Sequence, residues 1–172
     1  MDMDPPSVDA DLIESVLTSV TGDPKVPFAR YLEQRLSTGW LEESDDRLGV
    51  TRFEGSHNEM IRRRRLRIDP GPVTILLHPM LRRDDALRRH TLAHELLHAT
   101  GLLEHTPEHE ALVKRIAPAP GLDASPLLRE LRTKVLGELR RGSWSCHHCG
   151  FEWTRTTVRR PSRCPTCARP FR

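Results

Sequence analysis

The sequence predicts an α+β fold in which a small antiparallel sheet packs on helices and a cysteine-rich segment follows at the carboxyl end. Three observations support this prediction. The 172 residues suit one compact domain with a small appendage. Segments with helical spacing of apolar residues are interspersed with short strand-like runs. All four cysteines fall within the last 27 residues. We therefore divide the chain into an acidic helical segment (1–46), a central domain (47–140) and a terminal segment (141–172).

Apolar spacing and turn residues predict each element in chain order. Helices are predicted over residues 9–20 and 27–36, strands over 48–53, 60–68 and 73–77, and helices over 84–100, 106–116 and 125–140. The second strand contains the run Arg62 to Arg65, and such charges are typical of a sheet edge. Thr106 followed by Pro107 and Glu108 is typical of a helix amino end.

The formal net charge of +3 hides an uneven distribution. Residues 1–46 carry a balance of −8, whereas residues 47–92 and 141–172 each carry +6. Arginine accounts for 24 of the 27 basic residues. Two cationic segments of this kind suit a phosphate-bearing partner such as nucleic acid. The alternative is an ordinary surface of solvated arginines.

No stretch approaches the roughly 18 consecutive apolar residues that cross a bilayer. The first residues, MDMDPPSVDA, carry acid and proline instead of the basic and apolar regions of a signal peptide. We therefore expect a cytoplasmic protein without a membrane partner, associated with the nucleoid, or nuclear in a eukaryote.

Residues 94–98 read His-Glu-Leu-Leu-His inside the helix predicted over 84–100. Histidines at positions i and i+4 lie on one helix face, so the rings of His94 and His98 can both reach one zinc ion. Glu95 between them can take a proton from the zinc-activated water as that water attacks a carbonyl. The alternative is an ordinary helix with histidines on its polar face. His90 shares that face, and we expect it outside the ligand set.

A catalytic zinc site needs a third protein ligand and one open position. Four candidates follow the motif closely, namely Glu104, His105, Glu108 and His109. His105 is preferred because it lies in the loop just before a capped helix and because imidazole suits zinc. The other three remain alternatives.

The carboxyl end predicts a second metal site. Cys146 and Cys149 form one Cys-x-x-Cys pair, and Cys164 and Cys167 form another after a gap of fourteen residues. Two pairs at this separation are typical of a zinc ribbon with four thiolate ligands, and a redox dithiol is the main alternative. Four thiolates leave no open position, so we expect this zinc to be structural and to hold the segment folded.

Aromatic and arginine side chains surround the cysteine pairs. This combination suits stacking on the bases of single-stranded nucleic acid and contact with its phosphates. The candidate nucleic-acid contacts in the two cationic segments are Arg62, Arg63, Arg64, Arg65, Trp153, Arg155, Arg159 and Arg160. The alternative is that the aromatic rings only cover the zinc knuckles.

From about Leu48 to the carboxyl end, the sequence resembles the SprT-like metalloprotease family, which is related to the Spartan DNA–protein crosslink proteases. The resemblance rests, in this order, on ILLHPML, TLAHELLHATG, EHTPEHEALVKRIAP and CHHCG…CPTC. It implies that His94, His98 and His105 bind a catalytic zinc and that Glu95 is the catalytic base. His109 occupies a position where the family has an aromatic residue.

The resemblance implies zinc-dependent proteolysis of proteins bound or crosslinked to DNA, and hence a role in DNA repair. It implies DNA as a partner, one catalytic and one structural zinc, and no small-molecule cofactor. A second hypothesis is a transcription-associated, nucleic-acid-binding zinc-ribbon protein with a vestigial protease domain. A third is a peptidase that has no role with nucleic acid.

Overall fold

The computed structural model describes residues 4–139, 143–154 and 161–170. Over these residues the chain forms six α-helices and two small sheets, which confirms the α+β class. The chain divides into two compact units, residues 1–125 and residues 126–172. Among the helices described, none has the length and apolar character needed to cross a membrane.

The first unit holds helices α1 to α5 and a three-stranded sheet. Its elements are α1 (Ala10–Val20), α2 (Leu32–Arg35), β1 (Leu36–Trp40), β2 (Gly49–Phe53), α3 (His57–Leu66), β3 (Val73–Leu77), α4 (Asp85–Ala99) and α5 (Pro107–Ile116). Two 3-10 turns cover Ala29–Tyr31 and Pro79–Arg83. In the second unit, α6 (Pro126–Leu139) precedes β4 (Ser143–Ser145) and β5 (Glu152–Thr154), which pair antiparallel.

β3 is the central strand of the first sheet, with β1 parallel on one side and β2 antiparallel on the other. The prediction of a purely antiparallel sheet is therefore wrong for β1. The helix predicted over 27–36 is confirmed in part, because Ala29–Tyr31 form a 3-10 turn and Leu32–Arg35 form α2. The chain then extends from Leu36 as β1, a strand that the apolar spacing did not predict. Pairing with the buried strand β3 satisfies the backbone of β1, and this contact between distant parts of the sequence accounts for the end of α2 at Arg35.

The segment predicted as a strand over 60–68 forms helix α3 instead. The Ser56 hydroxyl caps this helix by accepting a hydrogen bond from the Glu59 amide at 3.3 Å. Glu59 also pairs with Arg63 one turn later at 2.9 Å. Arginine is a good helix former, and capping with this side-chain pair outweighs the weak strand-like alternation. Within α3 only Met60 is buried, so the arginine run lies on a largely solvated helix.

Helix α4 lies in the core of the first unit. Its residues Ala93, Leu96 and Leu97 have no exposed surface. Helices α1 and α5 and strands β2 and β3 all pack against it. Arg89 of α4 also donates a hydrogen bond to the carboxylate of Asp11 at the start of α1, at 2.7 Å. Packing from several sides therefore holds the carboxyl-terminal half of α4 in a defined position.

Candidate metal centre

Three histidine side chains meet beside the carboxyl-terminal half of α4. His94 and His98 lie one turn apart on the helix, and His105 lies in the loop before α5. The Nε2 atoms of His94 and His105 are 3.0 Å apart, those of His98 and His105 3.1 Å, and those of His94 and His98 3.2 Å. Tetrahedral nitrogen ligands of zinc lie about 3.3 Å from one another. The three nitrogens therefore have close to the spacing that one ion requires.

The hydrogen bond made by His98 leaves its Nε2 available to a metal. Its Nδ1 lies 2.6 Å from the carbonyl oxygen of Leu102. A carbonyl oxygen only accepts, so Nδ1 carries the proton and donates it, and Nε2 carries a lone pair. A metal-binding histidine commonly donates its other ring N–H in this way, because the bond orients the ring and fixes the tautomer.

Burial keeps the helical histidines neutral. It lowers the pKa of His94 to about 3, and repulsion from His109 and His98 contributes to the same shift. Burial also lowers the pKa of His98. Neutral imidazole is the form that binds metal, so both side chains are in the binding form at neutral pH.

His109 of α5 adds a fourth ring to the group and is fully buried. Its ring stacks on that of His98, with centroids 4.4 Å apart, and meets His94 edge to face at 4.5 Å. Its Nε2 donates to the carbonyl oxygen of His94 at 3.3 Å. Among the described residues its Nδ1 has no hydrogen-bond partner. His109 therefore has one ring nitrogen that bonds the backbone and one that carries an unused lone pair.

Two sets of three histidines share His94 and His98. In the set completed by His109, the ligand atoms lie within 4.8 Å of one another, which is close enough to hold a metal ion. In the set completed by His105, the three Nε2 atoms lie within 3.2 Å of one another. The second set has the tighter geometry for a single ion.

The acidic alternatives for the third ligand pair with cations instead. The Glu104 carboxylate accepts two hydrogen bonds from Arg64, at 2.9 and 3.1 Å. Arg64 also donates to the carbonyl oxygen of Gly101 at 3.2 Å. Glu108 accepts from Lys25 at 2.7 Å. These pairings favour the imidazoles as ligands, and the bonds of Arg64 attach the loop before His105 to α3.

Glu95 lies beside strand β2 and is only 6% exposed. The Thr51 hydroxyl of β2 lies 2.8 Å from its Oε2 atom and 2.9 Å from its carbonyl oxygen. Burial raises the pKa of Glu95, and the hydrogen bond from Thr51 opposes that rise. A carboxylate whose pKa is moved towards neutrality is better suited to accept a proton in catalysis.

Two residues of β2 that sequence reasoning missed shape the surroundings of Glu95. A Cβ atom at Gly49 would lie 3.0 Å from Glu95 Oε1 and 2.8 Å from Thr91 Cγ2, so a glycine lets β2 approach α4 closely. The other residue is Thr51, which orients the carboxylate. Glycine inside a predicted strand is a known signal of close backbone approach. No comparable signal distinguishes Thr51 from any other threonine in a strand.

In the second unit the four cysteines form a cluster of free thiols. The sulfur atoms of Cys146 and Cys167 are 3.6 Å apart, and those of Cys149 and Cys164 are 3.7 Å apart. Tetrahedral thiolates of a zinc ion lie about 3.7 Å from one another. The four cysteines therefore lie close enough to bind a metal ion. The pKa of the Cys146 thiol is lowered to about 6, mainly by a hydrogen bond from the backbone amide of Cys149.

The two cysteine pairs lie on matching turns. The Gly150 amide donates to the Cys146 carbonyl at 2.8 Å, and the Ala168 amide donates to the Cys164 carbonyl at 3.0 Å. Both turns end in the left-handed region, with φ of 69° at Gly150 and 55° at Ala168. Glycine adopts this region at little cost, whereas the Cβ atom of alanine makes it unfavourable.

Three aromatic rings of the second unit differ in exposure. Trp144 is buried and meets Trp153 edge to face, with centroids 5.9 Å apart. Phe151 lies nearly parallel to Trp153 at 6.0 Å and is 41% exposed. Phe151 therefore presents a ring to solvent, and Trp153 is half-buried. Three of the predicted nucleic-acid contacts lie outside the described residues: Arg155, Arg159 and Arg160.

The four arginines of α3 are not equivalent. Arg63 bonds to Glu59, and Arg64 holds the loop before His105. Arg62 lies 3.5 Å from Glu59 but remains largely exposed, and Arg65 is exposed as well. Arg63 and Arg64 are therefore half-buried in contacts within the first unit, whereas Arg62 and Arg65 present their side chains largely to solvent.

No protein-family model, curated protein or solved structure matches the chain. The fold and the site define an α+β protein with a partly buried histidine group that can hold one metal ion. Its second unit carries a group of four thiols that can hold another.

Proposed function

We propose that the chain is a zinc-dependent metallopeptidase of the SprT-like type. One observation carries the proposal, namely the triangle of Nε2 atoms with Glu95 on the same helical turn as two of its members. Three imidazole ligands and one open position are typical of a catalytic zinc site. A buried acid beside such a site is typical of hydrolysis by general-base catalysis.

The metal, when bound, would supply a Lewis acid that polarises water and the carbonyl of the substrate. His94, His98 and His105 would hold it, and the Leu102 carbonyl keeps His98 in the binding tautomer. Since Thr51 donates a hydrogen bond to Oε2 of Glu95, Oε1 would be the atom that accepts the proton of the attacking water. Glu95 would then deliver that proton to the leaving amine.

We propose further that its substrates are proteins bound or crosslinked to DNA. The two cationic segments support this, since each carries a balance of +6. The exposed side chains of Arg62 and Arg65 suit phosphate contacts, and the exposed ring of Phe151 suits stacking on an unpaired base. A zinc bound by Cys146 and the other three cysteines would hold this second unit folded.

A second candidate is a nucleic-acid-binding zinc-ribbon protein, associated with transcription, whose protease-like unit is vestigial. The four-thiol cluster and the exposed ring of Phe151 favour it, because both belong to the second unit. This candidate assigns no role to the Glu95 carboxylate, so substitution of Glu95 separates it from the first.

The test uses a protein substrate crosslinked to single-stranded DNA. The enzyme is a preparation of the chain that contains two zinc ions, and cleavage of the substrate is measured. We expect cutting that requires DNA and that falls at least about 100-fold in Glu95→Gln, the loss typical of a missing general base. Zinc content measured by mass spectrometry should be the same in both proteins. A zinc-loaded wild type that cuts nothing, together with DNA binding that is lost in Cys146→Ser, would support the second candidate instead.

A further inference from the structure

A cavity of about 310 Å³ lies beside His94. α4 contributes His90 and His94 to its wall, and α5 contributes Val113 and Lys114. The Nε2 atom of His94 belongs to the histidine triangle, so one imidazole ring separates this cavity from the candidate metal position. A side chain bound in the cavity would therefore lie one imidazole ring away from a metal ion held by the triangle.

The wall of this cavity is formed in advance. His90 donates from Nδ1 to the carbonyl oxygen of Ala117 at 2.7 Å, which attaches α4 to the segment that follows α5. Val113 and Ala117 are almost completely buried, so the wall rests on the core of the first unit. A pocket held by packing and by a short hydrogen bond binds its occupant without the cost of ordering the wall.

The lining is mostly apolar, with Val113, Pro118 and Ala119 among its residues. The two charged groups of the lining, Glu110 and Lys114, have opposite signs and lie four residues apart on α5. Their charges balance, so the pocket attracts neither an acidic nor a basic group strongly. Its volume lies at the lower end of the roughly 300–1,000 Å³ of ligand pockets, which suits a single side chain.

We propose that this cavity binds one apolar side chain of the substrate, from the residue adjacent to the cleaved bond. Leucine, methionine or phenylalanine would occupy it, and alanine or a charged residue would bind less well. The inference rests on the proposed function, because the histidine triangle gives the cavity its place beside the cleaved bond.

The first test compares peptides that differ at one position only, occupied by Ala, Leu, Phe, Asp or Lys. For the zinc-loaded wild type we expect kcat/KM for Leu or Phe to exceed that for Ala by about tenfold or more. Ala119→Phe places a ring at the exposed edge of the cavity and should reduce that ratio to about twofold or less. Ala111→Phe is the matched control, since Ala111 is an exposed residue of α5 that does not line the cavity.

The second test changes the charge of the lining. Lys114→Glu places a second acid beside Glu110, and Lys114 is exposed, so the fold should tolerate the change. We expect kcat/KM for the peptide with Lys to rise several-fold relative to kcat/KM for the peptide with Asp. An unchanged ratio would contradict the proposed position of the side chain.

Binding separates this inference from the proposed function. Fluorescence anisotropy with zinc-loaded Glu95→Gln measures the affinity for each peptide without turnover. Tighter binding of Leu and Phe peptides, lost on adding Ala119→Phe, supports the pocket even if the wild type cleaves nothing. Cleavage that ignores the varied position and both cavity variants overturns the pocket and leaves the peptidase. Absence of both binding and cleavage overturns both.

Discussion

The guanidinium of Arg64 binds the carboxylate of Glu104 through two parallel hydrogen bonds of 2.9 and 3.1 Å. A third hydrogen bond joins Arg64 to the carbonyl oxygen of Gly101. Arg64 therefore holds the loop that carries His105 at two points. Such planar, two-point pairs fix geometry more strongly than a single ionic contact does.

The first prediction concerns this loop. Arg64→Ala should weaken zinc binding at the histidine group by about 10-fold or more, as expected when a residue that positions a ligand is lost. Competition with a chromophoric chelator measures the affinity. Arg65→Ala is the matched control, because Arg65 is its exposed neighbour on α3. Equal zinc affinity in the two variants would show that the loop does not need Arg64.

The same pair of variants tests the nucleic-acid proposal. If Arg65 contacts phosphate, Arg65→Ala should weaken binding to single-stranded DNA and reduce the slope of log K against log salt by about 0.7. Arg64→Ala should change that slope less, since Arg64 is already bonded to Glu104. Titrations at several salt concentrations measure both values. An unaltered slope in Arg65→Ala would remove this side chain from the DNA contact.

The second prediction distinguishes the two histidine sets. His105→Ala should lower the zinc content from two ions per chain to one, because it removes a corner of the triangle. His109→Phe should keep both ions, since a phenyl ring can preserve the stacking on His98. It loses the bond to the His94 carbonyl but also removes the unpaired Nδ1 atom, and these changes oppose each other. The reverse result would make His109 the third ligand.

The third prediction concerns the pH dependence of the zinc-free protein. The pKa of His94 is about 3 and that of His109 about 4 in the folded chain, because burial disfavours the charged form. Below about pH 6.5 the unfolded chain binds protons that the folded chain does not bind. The free energy of unfolding should therefore fall as the pH drops from about 7 to about 4.

Denaturant titrations at several pH values measure this slope. The raised pKa of Glu95 acts with the opposite sign, since its folded carboxyl keeps a proton above the pH at which the unfolded one loses it. His94→Gln removes one of the histidine contributions and should flatten the curve between pH 4 and 7. A wild type and a His94→Gln variant with identical slopes would contradict the assignment of His94 as neutral in the folded chain.

The fourth prediction tests the close approach of β2 to α4. Gly49→Ala places a methyl group against Thr91 and Glu95, and we expect a loss of roughly 1–3 kcal/mol in the free energy of unfolding. Gly121→Ala is the control, because a Cβ atom at Gly121 meets nothing within 4 Å. Activity should fall in Gly49→Ala beyond the loss of folded protein, since the methyl group displaces the carboxylate.

The fifth prediction concerns the two cysteine turns. Ala168→Gly places a glycine at the position that Gly150 holds in the first turn, and should stabilise the second turn by about 1 kcal/mol. Gly150→Ala should weaken the first turn by a similar amount. The rate of zinc release to a chelator measures both changes. Release that is slower in Gly150→Ala than in wild type would show that backbone conformation does not control retention of this ion.

Features that depend on neighbouring residues could be predicted from the sequence. The i, i+4 spacing of His94 and His98 determines a shared helix face, and the Thr106 cap determines where α5 begins. Features that depend on distant pairing could not. Strand β1 is recognisable only beside β3, and Thr51 reaches Glu95 across 44 residues of sequence. The strand predicted around Arg64 is helix α3 in the structure, because a capped, charge-paired helix and a strand edge rich in arginine have similar composition.

The contact of α1 with α4 has a consequence for any attempt to shorten the chain. The apolar face of α1, with Leu12 and Val16 fully buried, covers the helix that carries His94 and His98. The solubility of the helix that carries the candidate metal ligands thus depends on α1, which contributes no ligand. A truncated chain that begins at the recognisable motifs would expose the apolar surface of α4. We expect it to aggregate before its metal affinity could be measured.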